Sequence, residues 1–200
     1  MIRSCSRLIV CLCSIFSICS CSDTQHIDRN LWDEETSTYH IPAASLKISV
    51  DSLSDWIVAE PDSLPPNVEF CAVNGSTGAC AMLLHPYFKN RSAGIQTLTS
   101  SDVDYFIKSM AIDQQNNFVG SSCLKMRSGV HNGTPYKQFR KDLRLYDSAS
   151  GDTLNISYSG YLFNRNQAVY SLTTITLSSD FDSIGEVALF GNIYTNISHR

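Results

Sequence analysis

The stretch Val68-Glu69-Phe70-Cys71-Ala72-Val73-Asn74-Gly75-Ser76-Thr77-Gly78-Ala79-Cys80-Ala81-Met82-Leu83-Leu84 decides how the chain is read. Two apolar runs, 68–73 and 79–84, flank a cluster whose Asn and Gly tolerate positive φ, so the segment predicts a β-hairpin. Upstream, Leu46, Ile48 and Val50 alternate with Lys47 and Ser49, the period of a half-buried strand, and Trp56 to Val58 extends the sheet. Pro61, Pro65 and Pro66 then impose a loop, because proline supplies no ladder donor. Downstream, Ser101-Asp102-Val103-Asp104 resembles a capping box, and Val103, Phe106, Ile107, Met110 and Ala111 follow helical spacing. An amphipathic helix lying on a sheet is expected there.

The second half reads as a meander. Lys137 to Tyr146 alternates around Phe139, Leu143 and Leu145, and Asp147 to Asp152 turns the chain into Leu154, Ile156 and Tyr158. A further turn at Asn164 to Gln167 leads into Ala168 to Leu177, rich in residues that suit a pleated surface. Ser179 to Asp182 looks like a helix start, and Ile184, Val187, Ala188, Gly191 and Tyr194 share a helical face, widened by Phe190, Ile193 and Ile197. Strands grouped in runs, not alternating with helices, predict an α+β fold: an antiparallel sheet packed by helices.

The hairpin carries two of the eight cysteines. If Asn74 pairs with Thr77 across Gly75-Ser76, Cys71 falls directly opposite Cys80, where a disulfide can close. The alternative is two small buried thiols, and a one-residue slip points them to opposite faces. Cys123 is left over in either case.

Length and composition are those of one ordinary globular domain: 200 residues, 43% hydrophobic, 17% charged. At the N-terminus, Arg3 and Arg7 precede an almost wholly apolar run, Leu8 to Ile18, too short to span a bilayer and suited to a signal peptide. Ile18-Cys19-Ser20-Cys21 resembles the bacterial lipobox, which implies lipidation of Cys21 and residues 1–20 as a lipoprotein signal peptide. Residues 21–44, rich in charged and hydroxyl side chains, read as a flexible tether to a domain spanning 45–200. Without Arg3 and Arg7 the balance is 13 basic against 19 acidic residues, which argues against nucleic acid as a partner.

Asp followed by Ser or Thr and an apolar residue occurs five times, with hydroxyls at Ser52, Ser63, Ser148, Thr153 and Ser183. This resembles the O-glycosylation consensus of Bacteroidetes-type bacteria, as the acidic start Cys21-Ser22-Asp23 loosely resembles their surface-export signals. The resemblance implies an outer-membrane lipoprotein, on the periplasmic or surface face. Asp-Ser is equally turn chemistry. The Asn-x-Ser/Thr sites, Asn74 among them, read as turn and surface chemistry.

Leu46-Lys47-Ile48-Ser49-Val50 with Trp56 soon after, the middle helix, Tyr158-Ser159-Gly160-Tyr161-Leu162-Phe163 leading to Tyr170, and the closing helix together resemble the PsbP/Mog1-like family over residues 45 to 198. That resemblance implies an α/β/α sandwich and a binding or assembly role without catalysis. It brings no functional residues with it.

No G-x-S-x-G, H-E-x-x-H, C-x-x-C, P-loop or G-x-G-x-x-G occurs. Cys123 with His85 or His131 is the nearest nucleophile–base combination, and no spacing specifies it. The acidic turn 147–152 lacks the alternating ligands and closing Glu of a Ca²⁺ loop. No cofactor and no metal are expected. Along Leu154 to Leu162 the even positions are the more apolar, so Tyr161 and Phe163 face the other way: structural if that face is covered, a binding site if it is not. The chain therefore reads as a lipid-anchored, non-enzymatic envelope protein that engages a protein partner. The alternative is a surface lipoprotein that captures carbohydrate or a small ligand.

Overall fold

The structure, a computed structural model, describes residues 30–50, 55–86, 88, 94–110, 118–131, 134–147, 150–180 and 193–196. Along the chain come β1 (Leu31–Asp33), β2 (Thr38–Ile41), β3 (Leu46–Val50), β4 (Trp56–Val58), β5 (Val68–Asn74) and β6 (Cys80–Leu84). After α1 (Ser100–Met110) follow β7 (Phe118–Ser121), β8 (Lys125–His131), β9 (Thr134–Asp147), β10 (Asp152–Arg165), β11 (Ala168–Leu177) and β12 (Ile193–Asn196). Two antiparallel sheets result. The large one runs β4-β5-β6-β11-β10-β9-β7, with β8 pairing beside β7 along the same edge of β9; the small one runs β1-β2-β3-β12.

Alternation along the long strands sorts side chains into two cores. Ile156, Tyr158 and Leu162 of β10 join Phe139, Leu143 and Leu145 of β9 beneath α1, which buries Val103, Phe106 and Ile107. Phe163, Tyr170 and Leu172 point the other way and pack with Tyr39, Ile41, Leu46, Ile48 and Val50 of the small sheet. The large sheet thus lies between one helix and a second sheet. The architecture is α+β as expected, but among the described residues the second cover is β-structure, not helix.

The central hairpin forms as read, with one change. Asn74 pairs with Ala79, and the Asn74 Oδ1 accepts from the backbone N–H groups of Ser76 and Thr77 at 3.2 and 3.1 Å, so the loop holds four residues, not two. The register moves by two: Cys71 faces Met82, and Val73 faces Cys80. An even slip keeps both thiols on one face.

Helix α1 begins earlier than the Ser101 box implies. Thr99 is its cap: the Thr99 Oγ1 accepts from the Asp102 N–H at 3.3 Å while the Asp102 carboxylate accepts from the Thr99 N–H at 2.8 Å. The β10–β11 turn is tight, with φ of 46° at Asn166 and 65° at Gln167. Its Asn166 Nδ2 donates to the Ala43 carbonyl at 2.8 Å and Arg165 Nε to that of Ala44 at 3.2 Å, which fastens the two sheets together.

Two further expectations change. Residues 31–44, read as tether, build β1, β2 and a 3-10 turn, with Tyr39 and Ile41 fully buried. Ile193 and Tyr194, read as the end of a closing helix, lie in β12 against β3; residues 181–192, where the rest of that helix was expected, lie outside the described residues. Strands β7 and β8 were not expected at all.

Candidate functional site

A band of aromatic and polar side chains crosses the large sheet near one end of its strands, on the face toward the small sheet. Tyr136, Phe163 and Tyr170 occupy facing positions on β9, β10 and β11. Phe163 stacks on Tyr170 with ring centres 6.2 Å apart. Tyr170 lies 4.3 Å from the His85 ring just past β6, and His85 Nε2 is 3.0 Å from Glu69 Oε1 on β5. Asn30 closes the band, its Nδ2 donating to Glu69 Oε2 at 2.8 Å and to the Glu69 carbonyl at 3.0 Å.

Electrostatics at this end make a clamp. The hydrogen bond to His85 holds the Glu69 carboxyl below the usual carboxylate range, against burial and with help from Asn30. Burial first, and the Glu69 charge second, push the phenols of Tyr39 and Tyr170 up to about 12. Both phenols therefore stay neutral near neutral pH. Each Glu69 oxygen already has a protein partner, and the group ties the chain entering β1 to the large sheet.

The other end is different. Phe163 is buried, but Tyr161 and Tyr136 are only half-buried, at the margin of what the small sheet covers. They meet edge to face at 5.4 Å. Tyr136 also lies across Gly129 of β8, where a Cβ would come within 2.5 Å of its ring. Lys125, Arg127 and Gly129 share this face by register, opposite Arg140, Gln138 and Tyr136. Lys125 and Arg127 are exposed. The sequence reading of Tyr161 and Phe163 thus divides: Phe163 is core, and Tyr161 belongs to an accessible cationic and aromatic face.

Other candidates stand apart. Cys123 is exposed in the link between β7 and β8, on the far side of β9, β10 and β11 from His85, so the Cys123–His85 pair does not assemble; the side chain of His131, the other imidazole considered, lies outside what is described. Cys71 and Cys80 are buried free thiols with Sγ atoms 3.6 Å apart, diagonal across the ladder. The hydrogen bond to Cys71, then burial, raises the Cys80 thiol well above its ordinary value. Among the described residues no three His, Cys, Asp or Glu side chains are placed to hold a metal ion. Ser63 and Thr153 are exposed; Cys21, Ser52, Ser148 and Ser183 lie outside the described residues.

The solution structure of cyanobacterial PsbP (CyanoP) from Synechocystis sp. PCC 6803 aligns over 88% of this chain and 98% of that one, with a TM-score of 0.50 and 11% identity. The fold is PsbP-like. That agrees with the family resemblance in the sequence, and at such identity the PsbP-like match carries the fold without residue roles. LpqN, involved in cell envelope biogenesis of Mycobacterium tuberculosis, aligns over 72% of this chain and 79% of its own at a TM-score of 0.41 and 14% identity. No protein-family model matches the chain, and no curated protein sequence matches it.

Sequence reasoning missed Asn30, Glu69, Lys125 and Arg127 as neighbours of the aromatic residues. Glu69 and His85 meet because a bulge between Val68 and Phe70 shifts the β5–β6 register, which leaves no mark in composition. The Lys125-x-Arg127 spacing was a readable period-two signal of one cationic strand face.

Proposed function

We propose that this chain is a lipid-anchored, non-enzymatic protein of the bacterial cell envelope that holds a protein partner on the face formed by β8, β9 and β10. The observation that carries the reading is the half-buried Tyr136–Tyr161 pair at the margin of the small sheet, with exposed Lys125 and Arg127 beside it. Aromatic and cationic side chains together are what protein interfaces concentrate. The saturated Glu69, its oxygens spent on His85 and Asn30, supports binding over acid–base chemistry.

Anchoring rests on Ile18-Cys19-Ser20-Cys21 behind the apolar leader, and the acyl chains on Cys21 contribute about 0.8 kcal/mol per buried methylene. No helix among the described residues is long and apolar enough to cross a membrane. The outer membrane is the proposed address, and the exposed Ser63 and Thr153 are its proposed glycan acceptors, checked by intact mass of the native protein.

Cross-linking in intact cells, affinity purification and mass spectrometry test the proposal, with Cys21→Ala and Tyr161→Ala as comparison proteins. A specific partner that is lost in both variants is expected. Retention on polysaccharide, released by soluble sugar and with no protein co-purified, overturns the reading in favour of glycan capture.

A further inference from the structure

We propose that β8 is a docking edge for an extended acidic segment of the partner, which adds to the large sheet as one more strand beyond β8. This rests on the partner reading above and names the chemistry of what binds.

The edges of the two sheets are unequal. β1 and β4 are three residues long, and β7 and β12 are four. Short edges such as these, and the irregular register of β7 against β9, are how sheets avoid accepting further strands. β8 is seven residues long and pairs with β9 at every position from Lys125 to His131, so its inner ladder is regular. Among the described residues no strand lies on its outer side. Such an edge presents backbone donors and acceptors in a row, the requirement for recognition by strand addition.

Charge selects the occupant. Residues 118–147 carry six of the fifteen basic residues and two of the nineteen acidic ones, in a chain whose net charge is −4. Two of those cations are engaged inward, Lys137 with the Leu98 carbonyl and Lys141 with Asp104. Arg140 lies 3.6 Å from Asp142. Lys125 and Arg127 have no ion pair among the described residues, and they share one face of β8 at a period of two. A second copy of β8 laid against the first brings cations together, which is destabilising across strands. An acidic strand is the complement.

The geometry fixes its pattern. Acidic side chains at alternate positions lie over Lys125 and Arg127, on the side of Tyr136 and Tyr161. The intervening positions lie on the side of Met126 and Val130, and apolar residues there cover Val130, which is 68% exposed.

The test uses three fluorescent heptapeptides against the whole domain: Glu-Val-Glu-Val-Glu-Val-Glu, the same with Lys for Glu, and the same with Pro for Val. Binding is read by anisotropy and by hydrogen exchange of residues 125–131. The Glu/Val peptide is expected to bind and slow exchange in β8, and the lysine peptide to leave both signals unchanged. The proline peptide, equal in charge but without the N–H groups of the three Val positions and with its φ fixed there, binds at least about tenfold more weakly. The K125E/R127E double variant, changed only at exposed positions, loses about tenfold or more in affinity. Equal binding of the Glu/Val and proline peptides, no binding of the Glu/Val peptide, or protection elsewhere than β8 overturns the proposal. In cells the two readings separate: a partner retained by K125E/R127E but lost with Tyr161→Ala overturns strand addition alone, whereas no specific partner for the unaltered chain overturns both.

Discussion

Replacing Asp104 with Asn strips a buried ammonium of its carboxylate. Lys141 alternates with Phe139 and Leu143 on the helix-facing side of β9, and its side chain is 5% exposed. Its partner Asp104, on α1, is also held by Lys108 at 2.8 Å. Burial works to raise the Asp104 pKa, but the hydrogen bonds from Lys108 and Lys141 outweigh it and keep the group ionised. Removing one member of a buried pair costs about 3–5 kcal/mol. Asp104→Asn is therefore expected to lose about 3–5 kcal/mol at pH 7. Lys141→Met keeps the volume and leaves Asp104 with Lys108, so its stability stays within about 1 kcal/mol of the original or rises. Urea unfolding followed by tryptophan fluorescence, with Trp56 8% exposed as reporter, measures both. An Asp104→Asn loss under about 1 kcal/mol, or a Lys141→Met loss as large, would refute the reasoning.

Gly160→Ala places a Cβ 2.2 Å from the Leu172 carbonyl oxygen and 2.9 Å from the Thr173 Cα, backbone atoms of β11 that cannot step aside. Calorimetry should show a fall of about 6–12 °C in Tm, from a loss of about 3 kcal/mol, while Gly75→Ala, whose Cβ meets only ordinary contacts at 3.5 Å or more, shifts by under about 3 °C. The lowered Glu69 pKa contributes stability that is present above the ordinary carboxylate range and lost as pH falls through the folded value. Glu69→Gln should flatten the stability profile between about pH 3 and 5, as read by urea midpoints, and an unchanged slope rejects the clamp. In reducing buffer the exposed Cys123 should react with a thiol reagent in the native domain, and Cys71 and Cys80 only on unfolding; fast reaction of either buried thiol contradicts their placement.

What the sequence disclosed follows from which signals are local. The 68–84 hairpin, α1 and the β9–β11 meander were legible because turn residues and apolar periods lie within single elements. β1 and β2 were not, because Asp33, Glu34 and Glu35 sit between Trp32 and Tyr39 and mask two short strands in a charged average. β12 was misread since Ile193 and Tyr194 extend a helical spacing that starts at Ile184, and only pairing with β3 selects extended backbone. The alternation on β10 correctly placed Tyr161 and Phe163 on one face. How far the small sheet covers that face depends on residues 31–50, so the difference between a core Phe163 and an accessible Tyr161 was not in the local pattern.

The early start of β1 also changes where a lipid anchor would hold the domain. Asn30 is fixed to Glu69, and nine residue steps separate it from Cys21, a reach of at most about 30 Å, where a tether ending at Ala44 allows about 80 Å. With the lipid on Cys21, as proposed, the Asn30–Glu69–His85 end of the sheet stays near the bilayer. β8 lies five strands away from β5, about 24 Å across the sheet. A partner that docks on β8 is then presented at nearly fixed height and gains from effective concentration if it too is held at the membrane. Inserting ten Gly/Ser residues after Asp23, a segment whose own root-mean-square span is about 17 Å, lengthens the connection without touching a described residue. Cross-linking to a membrane-held partner should fall while the domain's Tm stays the same. An unchanged cross-linking yield would mean that the partner arrives from solution, and that the short tether does not position it.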